Sequence, residues 1–169
     1  MKTIFSSVLV FTFCSFGIFA NAQKISDGET VDVNGLKVSF NIMNKESIQA
    51  GGKAFDRYKV AASVKNTSDK SYNIRLTSYP QIMMDTGIVE LDCMNATGAK
   101  LTSKKIQLKM KTQMINVSYS AYDKAGKSVT NILPVIGSYY FDTGDTISDD
   151  AIFIVPAGEK PEVTVRSLK

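Results

Sequence analysis

The chain has 169 residues, 44% hydrophobic and 21% charged, with a net charge of +4 at neutral pH. These are the proportions of a folded protein and exclude a wholly disordered or fibrous chain. Histidine is absent, which removes the Ser-His-Asp triad, the Cys-His dyad and every His-ligated zinc or copper site.

The first segment reads as an export signal. Met1-Lys2-Thr3 carries one positive charge, and an apolar stretch over 4–19 follows, interrupted by Ser6, Ser7, Thr12 and Ser15. It ends at Ala20-Asn21-Ala22, the small-x-small pattern that signal peptidase reads. Residues 1–22 are therefore expected to be a cleaved signal peptide, and 23–169 a single secreted or periplasmic domain beginning at Gln23. A membrane anchor would want about 20 predominantly apolar residues, and no second stretch of that kind follows. Cys14 follows Phe13, which lacks the small side chain that lipoprotein processing needs. Losing Cys14 with the signal leaves Cys93 alone, so no intramolecular disulfide can form and the domain must be held by its core. Neither the mildly basic balance nor an exported location calls for a nucleic-acid partner.

Downstream, apolar residues recur with period two, and no helical stripe appears. The runs 30–33 and 36–42 flank Asn34-Gly35, a pair that tolerates positive φ and marks a tight hairpin. Leu36, Val38, Phe40 and Ile42 share one face. After a loop at Gly51-Gly52, Tyr58, Val60, Ala62 and Val64 face inward on the next strand. A turn at 66–69 leads to Tyr72, Ile74 and Leu76, stopped by Pro80. Val89, Leu91 and Cys93 then alternate with Glu90 and Asp92. Ile106, Leu108 and Met110 share one parity, whereas Ile115, Val117, Tyr119 and Ala121 share the other, so a turn or bulge is expected near 111–113. The runs 128–136, 138–141, 151–155 and 162–166 complete the strands. Many short strands separated by turn residues predict one all-β domain, an antiparallel sandwich.

Two stretches resemble a known family. The segment 60–71, Val-Ala-Ala-Ser-Val-Lys-Asn-Thr-Ser-Asp-Lys-Ser, is similar to the strand and polar turn of many exported bacterial immunoglobulin-like modules. Residues 153–160, Phe-Ile-Val-Pro-Ala-Gly-Glu-Lys, resemble the segment that introduces the last strands of those modules. The resemblance implies an immunoglobulin-like β-sandwich and brings no shared active site. A module of that class has about 100 residues, so extra strands or an elaborated middle, within 80–135, must account for the difference.

Two charge clusters are candidate sites. Lys105, Lys109 and Lys111 share parity, with Lys100 and Lys104 just before them and no acid between. Such a face suits an anionic glycan or lipid headgroup, or guards an edge strand against sheet-to-sheet association. Asp142, Asp145, Asp149 and Asp150 form the opposite patch; carboxylates on a loop could take a calcium ion, or simply solvate a turn. Met83, Met84, Met94, Met110 and Met114 with Cys93 are soft ligands for Cu(I), but Met110 and Cys93 have inward parity, where sulfur side chains pack. Glu90 and Asp92, about 7 Å apart along one strand face, are the carboxylate pair that acid–base chemistry would need. Asn66, Asn95 and Asn116 each open a glycosylation sequon.

The reading that follows is a non-catalytic exported binding module of the bacterial envelope or extracellular space, with another envelope protein or an anionic glycan as partner. Its alternatives are a small hydrolytic or carbohydrate-active enzyme using carboxylates, and a structural subunit of an envelope assembly.

Overall fold

The alternation read along the chain becomes strands throughout in a computed structural model, which describes residues 22–76, 85–95 and 100–169, those of 100–104 by backbone only. The described residues form β1 (Gln23–Ile25), β2 (Thr30–Val33), β3 (Leu36–Ala50), β4 (Lys53–Asn66), β5 (Tyr72–Arg75) and β6 (Gly87–Met94). They continue with β7 (Lys100–Lys109), β8 (Lys111–Tyr122), β9 (Ser128–Phe141), β10 (Thr146–Pro156) and β11 (Glu162–Ser167). The signal-peptide reading of 1–22 lies, but for Ala22, outside the described residues, as does Pro80. Among the described residues no helix is long and apolar enough to cross a membrane.

Among the described residues all pairings are antiparallel and give three sheets, in the orders β1-β11-β6-β7, β10-β4-β3-β2 and β5-β9-β8. The arrangement is sandwich-like. Leu36, Val38, Phe40, Val60, Val64, Phe153 and Val155 of the second sheet share one buried cluster with Val89, Leu91, Cys93, Ile106, Leu108, Val163 and Val165 of the first. The inward parities expected for β3, β4 and β6 are those observed. Cys93 is part of this core, and burial pushes its thiol up to about 12.

Asn34 and Gly35 adopt φ of 58° and 78° and turn β2 into β3. A side chain at Gly35 would also run into Ser68, 2.8 Å away. The strands on either side of Gly51-Gly52 reach the glycines themselves, so the expected loop is a tight turn. Asn66 ends β4 and is fully buried. Its amide donates to the carbonyls of Lys70 (2.7 Å) and Phe141 (3.3 Å), and its side-chain oxygen accepts from the Ser68 amide and hydroxyl. The sequon asparagine is therefore a structural knot joining β4 to the end of β9.

The parity change expected near 111–113 has its cause at Met110, and a separate bulge lies on the neighbouring strand β9. At Met110 the chain leaves the first sheet for the third, its N–H donating to the Thr86 carbonyl. Farther on, Gln113 pairs with Ser138 but Met114 pairs with Ile136, leaving Gly137 as an extra residue on β9. The space of its missing Cβ is taken by the Ile115 side chain. Residues 128–136 and 138–141, expected as separate strands, are thus one strand with a bulge.

Replacing Asn66 by Asp removes both donors and sets a carboxylate against two carbonyl oxygens in a buried site. Urea unfolding should show a loss of about 3 kcal/mol; a loss below about 1 kcal/mol would contradict the assigned role.

Candidate interaction surface

The lysines expected on one face are divided between two sheets. Lys105, on β7, donates to Glu90 at 2.6 Å. Lys109 is exposed at the end of β7, while Lys111 opens β8, bonded to Asp145 and 5.9 Å from the centre of the Tyr140 ring. The chain changes sheet at Met110, between Lys109 and Lys111, so the three do not form a ladder on one strand. The side chains of Lys100 and Lys104 lie outside the described residues.

The aspartates are divided in the same way. Asp142 and Asp145 belong to the β9–β10 turn, where Asp145 accepts from the Asp142 N–H. The Lys111 hydrogen bond, with that backbone bond, holds the Asp145 carboxyl below its ordinary range. Asp149 and Asp150 are not on that loop: they lie in β10, with Asp150 3.6 Å from Lys59. No three acidic or cysteine side chains among the described residues converge as a cation site would require. Sulfur atoms are scattered too. Met110 and Cys93 are buried, Met94 accepts from Thr164, and Met114 is exposed on β8; Met83 and Met84 lie outside the described residues.

Glu90 departs most from expectation. An alternating strand suggested an outward carboxylate, but β6 lies between β11 and β7, and the Glu90 side chain is 2% exposed. Arg166, directly opposite on β11, donates to one oxygen, with Nε at 3.1 Å, and Lys105 holds the other. Burial pushes the Glu90 carboxyl up, but the bonds and charges of Lys105 and Arg166 outweigh it, and the net shift is downward. Asp56 is a second buried carboxylate, met by Lys45, Ser47 and the Gly158 N–H, and it too is held low, chiefly by Lys45. The Gly-Glu turn singled out in the sequence is thereby tied to β4.

Parity alone could not weigh the feature that stands out: an arm made of β8 and β9. Among the described residues β5 covers β9 only over 138–141, and beyond the Gly137 bulge the two strands pair with each other alone. On one face lie the cross-strand pairs Ile115–Val135, Val117–Leu133, Tyr119–Asn131 and Ala121–Val129. The other face mixes Asn116, Ser118, Ser120, Ser128 and Thr130 with Met114, Tyr122, Ile132 and Pro134. Ile115, Val117, Tyr119, Val129, Ile132 and Leu133 are all exposed. From 112 to 122 and from 128 to 141 there is no charged residue; Asp123, Lys124 and Lys127 are confined to the tip. A two-stranded ribbon is marginal by itself, and contiguous exposed apolar surface marks an interaction site. The available sequence signal was the long uncharged interval on both sides of Asp123-Lys124-Ala125-Gly126.

No protein-family model, curated protein or solved structure matches this chain.

The Glu90 arrangement gives a pH dependence of defined sign. A carboxyl whose folded pKa is lowered contributes stability above its unfolded value, near 4.5, and loses it as pH falls through the folded value. Thermal stability should therefore decline below about pH 4.5. Glu90→Gln leaves two cations without their counter-charge and should lower the melting temperature at pH 7 by on the order of 10 °C. Its deficit should shrink in acid; an unchanged deficit at pH 3 would refute the assignment.

Proposed function

We propose that the protein is a non-catalytic, exported binding module of immunoglobulin-like type, and that the β8–β9 arm is its contact element. The observation that carries this reading is the arm itself: a charge-free ribbon whose apolar face no other described part of the chain covers. In an ordinary monomer such a face is a liability for solubility and aggregation. Here it is concentrated on one projecting element, while the remaining core is closed.

The alternatives gain less support. Glu90, the better placed of the expected catalytic carboxylates, spends both oxygens on Lys105 and Arg166. Two of the three lysines proposed for an anionic partner, Lys105 and Lys111, are engaged by Glu90 and Asp145. The export reading is supported by the small-x-small pattern before Gln23 and by the first strand opening at that residue. For the immunoglobulin-like relationship, the two resembling segments build sandwich turns: Asn66 knots one, and the Asp56–Gly158 bond closes the other.

Two measurements test this proposal. Intact mass of the native exported protein should begin at Gln23; recovery of the full chain with Met1 in a membrane fraction would refute export. A photo-activatable residue at Tyr119 or Leu133 should yield cross-linked adducts in envelope preparations, and the same residue at Ile154, an exposed apolar position off the arm, should not. Equal adducts from Ile154, or none from the arm, would remove the arm as contact element.

A further inference from the structure

We propose that the arm's partner is a second copy of this chain, joined edge to edge along β8 in an antiparallel register that sets Val117 opposite Val117 of the second copy. The proposal rests on the reading of the arm as contact element and names what it contacts.

The edges of the three sheets differ in how they are protected. β1, β2 and β5 have only 3, 4 and 4 residues. β7 carries Lys100, Lys104, Lys105 and Lys109, and β10 carries Asp149, Asp150 and Pro156. Beyond β2, the open side of β3 has a bulge between Ile42 and Asn44, then Lys45 and Glu46. The free side of β9 carries Pro134. Short length, charge, bulges and proline are the devices that keep sheet edges from pairing. β8 has none of them from 112 to 122, and among the described residues no strand pairs with its outer side.

Which backbone groups face that outer side follows from both ends of the arm. At the tip, the Asp123 N–H donates across the hairpin to the Lys127 carbonyl at 2.9 Å. Because direction alternates along a strand, residues 121, 119, 117 and 115 also turn their backbone groups toward β9. At the root, the Gly137 carbonyl accepts from Leu76 on the β5 side. Ser138 and Tyr140 therefore face β8, and their partners Gln113 and Lys111 face β9. The two ends agree. Thr112, Met114, Asn116, Ser118, Ser120 and Tyr122 point their N–H and C=O groups outward, and Pro134, opposite Asn116, has its nitrogen turned away from β8.

Self-pairing must join outward residues to outward residues, so the residue numbers of each pair add to an even total. The same condition keeps Ile115, Val117 and Tyr119 of both copies on one face. Among these registers, pairing 112 with 122 uses the whole uncharged stretch and brings Lys111 of each copy opposite Asp123 of the other. That register sets unlike residues opposite each other at both ends, where Lys111 also keeps its bond to Asp145 of its own copy, and places no like charges between. It forms the bonded pairs 112–122, 114–120 and 116–118 twice over, on the order of twelve backbone hydrogen bonds. Ile115 then lies beside Tyr119 of the second copy, a cross-strand pair of a stabilising kind. The result is a four-stranded ribbon whose outer strands are both β9, where Pro134 opposes further addition. An isologous pair closes in this way rather than growing into a fibre.

Sedimentation of the purified protein over a range of concentrations tests the proposal. Val117 and Val129 are equally exposed, 39% each, on the same face of the arm, but only Val117 lies at the seam. The wild type and Val129→Lys should form dimers, and Val117→Lys should sediment as a monomer at every concentration, its unreactive Cys93 showing that it remains folded. Val117→Cys should oxidise to a disulfide-linked dimer, because unbonded antiparallel pairs bring side chains close. Ile115→Cys and Tyr119→Cys should cross-link when mixed and not singly. Loss of the dimer in both lysine variants would indicate arms packed face to face and overturn the edge pairing. A wild type that stays monomeric but binds phosphatidylcholine vesicles through the arm would overturn it in favour of a bilayer. If arm cross-linkers capture other proteins while the purified chain is monomeric, the second copy fails and the arm remains the contact element. If neither is seen, both proposals fall.

Discussion

Every backbone N–H and C=O along a sheet edge has to be paired, solvated or guarded, and this requirement organises the molecule more than its core does. A core of alternating apolar strands is compatible with many sheet orders. What distinguishes this one is how each edge ends: three strands of four residues or fewer, a lysine-bearing β7, an aspartate-bearing β10 and a proline on β9. Such devices oppose unintended strand addition. An uncharged edge of eleven residues, 112–122, that lacks them, on an arm that also exposes its apolar face, is therefore informative: among the described residues every other long edge is guarded.

Charged residues in this fold act mainly as stitches between segments far apart in sequence. Glu90 joins β6 to Lys105 of β7 and Arg166 of β11, and Asp56 joins β4 to Lys45 and to the turn after β10. Asp145 draws the β9–β10 turn onto Lys111 at the root of the arm. A buried carboxylate between cations gives little net stability relative to an apolar residue of similar size, but losing one partner is costly. Each stitch consequently fixes register more than it adds free energy. The Asp145–Lys111 pair has a further consequence, since it anchors β8 where the strand leaves the body.

The sequence disclosed the strands and their inward faces because period-two alternation is a direct record of a half-buried sheet. Leu36, Val38 and Phe40, then Val60, Ala62 and Val64, are buried as their parity requires. The Asn34-Gly35 hairpin was legible because positive φ restricts the residues that can occupy it. The clusters were not legible, for a physical reason. Lys105 and Glu90 are 15 residues apart and become neighbours only through the β6–β7 register. Alternation also could not reveal that β6 is covered on both faces, where outward parity no longer means solvent. Lys111 shares parity with Lys109, but the crossing between sheets at Met110 separates them. The arm left a clear trace in the two charge-free stretches around residues 123–127, yet exposure is a tertiary property that period two does not encode.

Gly137 couples the body of the third sheet to the arm. In the body of the third sheet, β9 is shared between β5 and β8, and its residues face them alternately. One additional residue at Gly137 shifts that alternation for the rest of β9, so Pro134 presents its nitrogen to the open side rather than to the ladder. Without the bulge, Pro134 would fall at a bonded position opposite β8, and the arm would lose a hydrogen bond near its centre. The bulge also lets Ile115 lie over the glycine, where any side chain would collide with it. A single extra residue thus keeps the arm internally bonded and blocks the outer side of β9. It leaves β8 as the side from which a further strand could be accepted, so the local geometry that stabilises the arm also sets the direction of the proposed pairing.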